Sequence, residues 1–106
     1  MYARIVNMKL KTNAGPQFTR TFESDVIPVL RKQKGFRDEI SMLALERSEV
    51  TGISLWNEKE NAEEYHRVMY PGVLKSLSTV VEGTPEVRTF EVSNSTFHKI
   101  AAGLAS

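Results

Sequence analysis

Five side chains in this 106-residue chain have types and positions that could do chemistry: Asn7, Trp56, Tyr65, His66 and Tyr70. His66 shares a helical stripe with Ala62, Tyr65 and Met69, so it is expected to face a sheet. It is the one inward candidate whose ordinary pKa lies near neutral, which suits a proton acceptor. A partly buried histidine bonded to a backbone carbonyl is the competing role. Asn7 interrupts an apolar strand in which asparagine is disfavoured, and it points either into a ligand pocket or toward a backbone group at a bulge. Trp56 is a large anchor at a strand end, suited to core packing with one edge on a cleft. Tyr70, beside Pro71-Gly72, either rims that cleft or packs at a helix break. His98 falls in the tail and is expected to be solvated.

Other chemistries lack their residues. With no cysteine there is no disulfide framework, thiolate nucleophile or Cys-based zinc site, and two distant histidines give no metal-ligand spacing, so no metal is expected. There is no glycine-rich phosphate loop and no serine nucleophile elbow. Glu58, Glu60, Glu63 and Glu64 read as a solvated helix start stabilised by the dipole, not as a catalytic pair. Lys plus Arg number 14 against 13 for Asp plus Glu, too even a balance to gather nucleic acid or an anionic membrane. Arg31, Lys32 and Lys34 suit the negative pole of a helix C-terminus. The N-terminus lacks the apolar core of a signal peptide, no stretch reaches membrane-spanning length, and a cytoplasmic location is expected.

The elements that must position the five residues form one pattern written twice, strand, amphipathic helix, strand, over residues 2 to 46 and 50 to 94. That order predicts an α+β, ferredoxin-like βαββαβ domain over residues 1–94, with two helices on one face of a four-stranded antiparallel sheet. A short tail helix is expected within 95–106, carried by Phe97, Ile100, Ala101 and Leu104. In the first helix, opened by Gly15-Pro16, the apolar stripe is Phe18, Phe22, Val26, Val29 and Leu30, and Pro28 predicts a kink. Gly35 ends this helix, Phe36 starts a strand running to about Glu46, and Arg47 to Glu49 connect it to Val50 through Trp56. Asn57 is expected to cap the second helix, with Glu60 reaching back. That helix breaks at Pro71-Gly72 and resumes to Gly83, before a last strand from Glu86 to Asn94.

Apolar residues occupy both parities of the strands: Ile53 and Leu55 against Val50 and Trp56, Leu43 and Leu45 against Ile40 and Met42. Two helices cover one face only, so a second subunit packed sheet to sheet is the expected cover.

The segments Ile27-Pro28-Val29-Leu30, Lys34-Gly35-Phe36, Leu55-Trp56-Asn57, Ala62 to Tyr65 and Gly83-Thr84-Pro85-Glu86-Val87 together resemble the antibiotic biosynthesis monooxygenase family of dimeric α+β barrels. The resemblance implies a homodimer that oxygenates a small aromatic or quinol-like compound without metal, flavin or other cofactor. The deprotonated substrate itself passes an electron to oxygen, inside a dry pocket whose donors hold the anion. On this reading His66 and Asn7 are catalytic, as proton acceptor and anion-stabilising donor, while Trp56, Tyr65 and Tyr70 bind substrate. The haem-degrading branch of the superfamily is disfavoured. Aligned from Trp56, its helix tryptophan and haem-ligating histidine fall on Tyr65 and Lys75. The same fold also suits a non-catalytic small-ligand-binding or stress-response dimer, or an isomerase or lyase using His66 as base.

Overall fold

The structure is a computed structural model, and it describes residues 1–96. The expected tail helix therefore lies outside the described residues. Strand β1 (Tyr2–Leu10) leads to helix α1 (Gly15–Thr21), a π turn (Phe22–Val26) and helix α2 (Ile27–Arg31). Strand β2 (Phe36–Ala44) and strand β3 (Glu49–Trp56) are joined by a 3₁₀ turn (Leu45–Arg47), followed by helices α3 (Lys59–Val68) and α4 (Tyr70–Leu77) and strand β4 (Val81–Glu91). All pairings are antiparallel in the order β2-β3-β1-β4, the expected ferredoxin-like arrangement, with the helices on one face.

The first helix is continuous through its π turn for a reason visible in its stripe. Phe18, Phe22, Val26 and Leu30 recur every four residues, and in a helix of 3.6 residues per turn such a stripe drifts about 40° at each step. One wider turn resets the drift, so Phe18, Val26 and Leu30 are all buried and Phe22 packs against them. The turn is closed by the Ile27 N–H donating to the Phe22 carbonyl, an i+5 bond. Pro28 lacks the N–H that an α-helix would donate to Ser24, so the wide turn sits where the ladder already has a gap. The chain stays helical through Pro28, as expected, and the irregularity falls in the π turn just before it.

Helix α3 starts one residue later than expected. Glu58 is the cap, its side chain accepting from the Asn61 N–H while the Asn61 Oδ1 accepts from the Glu58 N–H at 3.1 Å. Asn57 serves the loop instead: its N–H donates to the Gly35 carbonyl at 2.8 Å, and its Oδ1 accepts from Arg37 at 3.3 Å. The interruption falls at Met69, between α3 and α4, with Pro71 in the first turn of α4.

Four strand boundaries differ from the expectation: β3 begins at Glu49, one residue before Val50, β4 ends at Glu91 and not at Asn94, and the end of β2 and the start of β4 also shift. Strand β2 ends at Ala44, because Leu45–Arg47 form the turn and Ser48 takes a left-handed conformation with φ 53°. Strand β4 begins at Val81, where helix was expected to run to Gly83. Val80 and Val81 fit a helical stripe, but Val81 pairs with Leu10 and both valines are buried. Opposite β1 the register jumps from Glu82↔Lys9 to Glu86↔Asn7, so Gly83 to Pro85 bulge out with Gly83 at φ 74°. Proline without an N–H and glycine at positive φ fit that bulge.

The core lies between sheet and helices. Val6, Met8 and Leu10 of β1 and Val50 and Trp56 of β3 meet Phe18, Val26, Leu30, Tyr65, Tyr70, Val73 and Leu77. Among the described residues no helix covers the opposite sheet face, and there Ile40, Met42 and Phe90 are 56%, 45% and 42% exposed.

Candidate functional site

A cavity of about 40 Å³ lies between the sheet and the helices. Its floor is Arg4, Val6 and Met8 of β1, Gly52 and Ser54 of β3, and Glu39 of β2. Its roof is Phe22, Val26 and Leu30 of the first helix and Tyr65, Tyr70, Val73 and Leu77 of the second pair. Most of the wall is apolar, and two charged side chains enter it.

Strand register places these charges together. Ser54 pairs with Arg4 on one side and with Glu39 on the other, so Glu39, Ser54 and Arg4 form one row across three strands on the helix face. Strand spacing separates the ends of the row by about 10 Å at the Cα atoms. The next row is Ser41, Gly52 and Val6, and the missing side chain of Gly52 leaves room for Glu39. A Cβ there would stand 3.4 Å from the Glu39 carboxylate oxygen.

Arg4 is 3% exposed, and among the described residues it forms no ion pair with a carboxylate. Its guanidinium carbon lies 4.0 Å from the Tyr70 ring centroid and 5.2 Å from that of Tyr65. Its Nη2 donates to the His66 Nδ1 at 2.9 Å, while its Nε is buried without an acceptor. Burial lowers the Arg4 pKa, partly offset by Tyr65 and Tyr70, yet a guanidinium stays charged in a protein. Aromatic faces thus take the place of a counter-ion. Burial raises the Glu39 carboxyl above its ordinary range, opposed by a 2.7 Å hydrogen bond from the Ser41 hydroxyl. Burial also pushes Tyr65 up to about 12 and raises Tyr70, with Arg4 opposing both, so each phenol is a neutral donor at physiological pH.

The structure brings some of the expected residues together and separates others. Tyr65 and Tyr70 line the cavity. His66 is exposed and outside it, its ring stacked on Tyr70 at 5.2 Å and 23°. Its Nδ1 is taken by Arg4, and burial followed by the Arg4 charge lowers its pKa, so it holds Arg4 in place as a neutral ring. Asn7 does not face the cavity. It sits on the opposite parity from Arg4 and Val6, on the face turned away from the described helices, and its Oδ1 accepts from its cross-strand partner Thr51 at 2.7 Å. Asn7 and His66 therefore lie on opposite faces of the sheet, and they cannot act on one ligand within a single chain. Trp56 is fully buried beside the cavity but is not part of its lining. Its indole N–H donates to the Ser54 hydroxyl at 2.9 Å, and its ring packs on Tyr65 at 5.2 Å and Phe36 at 5.5 Å.

Sequence reasoning missed Arg4 and Glu39. Arg4 carried a signal, being a charge on the same parity as Val6, Met8 and Leu10. Glu39 carried none: the register shift between Phe36 and Asp38 reverses the parity of β2, so Phe36 and Glu39 share a face. Among the described residues, no three His, Cys, Asp or Glu side chains could hold a metal ion, and no helix is long and apolar enough to cross a membrane.

No family model and no curated protein sequence matches the chain. Solved structures do. A protein of unknown function from Nitrosomonas europaea, NE2512, is similar with a TM-score of 0.74 and 12% identity over 90% of this chain and 91% of its own. SnoaB, a cofactor-independent oxygenase from Streptomyces nogalater, has a TM-score of 0.74 and 12% identity over 90% of this chain and 95% of its own. The monooxygenase from the gene ActVA-Orf6 of Streptomyces coelicolor, in complex with nanaomycin D, has a TM-score of 0.73 and 12% identity over 86% of each chain. The chain thus has the fold of the antibiotic biosynthesis monooxygenases.

Proposed function

We propose that the protein is a cofactor-independent monooxygenase of a small electron-rich aromatic, acting in the cavity between sheet and helices. One observation carries this reading: an apolar cavity holds a buried cation, with no carboxylate partner among the described residues, and a carboxylate in one row of the sheet. Glu39, whose proton affinity burial has raised, takes a proton from a ring hydroxyl of the substrate. Arg4 and the neutral phenols of Tyr65 and Tyr70 stabilise the resulting anion. The anion passes one electron to dioxygen, and the two radicals combine at a ring carbon. Cleavage of the O–O bond then leaves one oxygen on the ring as a quinone carbonyl and releases the other as water, the ring supplying all four electrons.

The cavity is smaller than the roughly 150 Å³ that accommodates benzene, so the substrate enters as a wall gives way. Phe22 and Val26, at the two ends of the π turn, form the part of the roof with the least regular hydrogen bonding. The SnoaB and ActVA-Orf6 likenesses support an oxygenase over other chemistries of the fold. Mixing the metal- and flavin-free protein with a hydroquinone under air should raise oxygen uptake above the spontaneous rate. Binding of the hydroquinone with no extra uptake would leave a binding module. The acid and cation could also shift a proton between carbons without oxygen, and product formation under argon would identify that isomerase.

The protein is further proposed to form a homodimer through the sheet face turned away from the described helices. Exposed Ile40, Met42 and Phe90, beside half-buried Ile5, Ile53 and Leu55, support that assembly.

A further inference from the structure

Arg4 differs from an ordinary buried arginine in what surrounds it. Such groups are retained with a carboxylate or a full set of acceptors, because an uncompensated buried charge is costly. Here the guanidinium is 3% exposed, borders the cavity, leaves its Nε–H without an acceptor, and among the described residues has no ion-pair partner. Its side-chain hydrogen-bond partners, His66 Nδ1 and the Tyr70 hydroxyl, are both uncharged. Glu39 does not fill the gap, since it stands two strands away and is bonded to Ser41.

We infer that Arg4 is the anion-binding residue of the cavity, and that its ligand is a small aromatic monocarboxylate. A carboxylate is planar and matches the guanidinium fork, satisfying the orphan Nε–H. Phosphate does not suit the site, because one cation lies among Val6, Met8 and Val26 with Glu39 opposite. The rings of Phe22, Tyr65 and Tyr70 suit an aryl group, and Glu39 faces the far end of the ligand, where a hydroxyl could donate to it. This rests on the cavity being the ligand site, as proposed above, but not on the oxygen chemistry.

Benzoate and benzamide have the same shape and differ in charge, so calorimetric titration of the full chain with each tests the inference. Benzoate should bind at least tenfold more tightly than benzamide. In Arg4→Met that ratio should fall to within twofold while the thermal midpoint stays level or rises, since an unpaired buried charge has been removed. In Arg4→Lys, which keeps the charge but loses the fork, the preference should drop severalfold. If Arg4→Met does not fold, the wild-type ratio and Arg4→Lys still decide. Benzoate should also raise the His66 pKa, followed by its ring proton resonances, because the carboxylate offsets the neighbouring cation; a purely structural Arg4 would not produce this. Equal binding of the two probes, or a benzoate preference that survives Arg4→Met, overturns the anion site and leaves the cavity standing. Binding of neither overturns the anion site and the cavity reading together.

Discussion

Glu39 is the residue on which the proposed chemistry turns, and its environment fixes the sign of two effects. The folded protein holds the Glu39 proton more tightly than the unfolded chain, whose value lies near 4.5. Below that value the residue is protonated in both states and costs nothing. As pH rises through the folded value, ionisation in the half-buried site destabilises the fold. Glu39→Gln is therefore expected to raise the thermal midpoint at neutral pH, with the gain vanishing below pH 4.5. The same substitution should lower turnover of a hydroquinone on the order of 100-fold or more, the usual contribution of a general base. Thermal melts across pH, paired with oxygen uptake, separate these outcomes. Unchanged turnover would remove Glu39 from the proton path. His66 is a weaker test of catalysis, since its Nδ1 is occupied by Arg4.

At the level of elements, the junction between β2 and α3 holds the helix face to the sheet. Gly35 has φ 80°, and a Cβ there would collide with the Asn61 side chain, the residue that completes the capping box. Gly35→Ala should therefore cost on the order of 2 kcal/mol or more, combining a left-handed backbone with a lost cap. Gly72, in α4, has open space where an added methyl group would sit, with no atom within 4 Å, and Gly72→Ala should stabilise by about 0.5 kcal/mol. Denaturant titrations of both variants check the contrast. Similar effects at the two sites would show that backbone conformation does not control this junction. Glycine as a helix terminator was legible in the sequence. The identity of its neighbour was not, because Asn61 is 26 residues away in the chain and only folding brings it near.

For the whole molecule, the proposed dimer rests on the sheet face turned away from the helices. Ile40, Met42 and Phe90 are the large apolar residues most exposed on it. An assembly that covers them should bury at least about 1,000 Å². Met42→Arg would place an unpaired charge in that interface, and sedimentation should show a monomer where the unaltered chain sediments as a dimer. Circular dichroism should be unchanged, because Met42 points away from the helix-side core. A wild-type monomer at micromolar concentration would refute the sheet-to-sheet dimer.

The order of strands and helices was readable from the sequence because its causes are local. Stripes such as Phe18, Phe22, Val26 and Leu30, breakers such as Gly35 and Pro71, and the alternation of Val6, Met8 and Leu10 each act within a few residues. The βαββαβ order, the inward direction of Tyr65 and the burial of Trp56 follow from them. The site needed tertiary structure because strand register is set between distant segments, and one extra residue reverses a strand's faces. The shift between Phe36 and Asp38 turns Glu39 toward the helices, and the β1–β3 pairing puts Arg4 beside Ser54 and sends Asn7 to Thr51. No pattern within β1 or β2 alone contains that juxtaposition of Arg4 and Glu39, since it arises only when β3 lies between them.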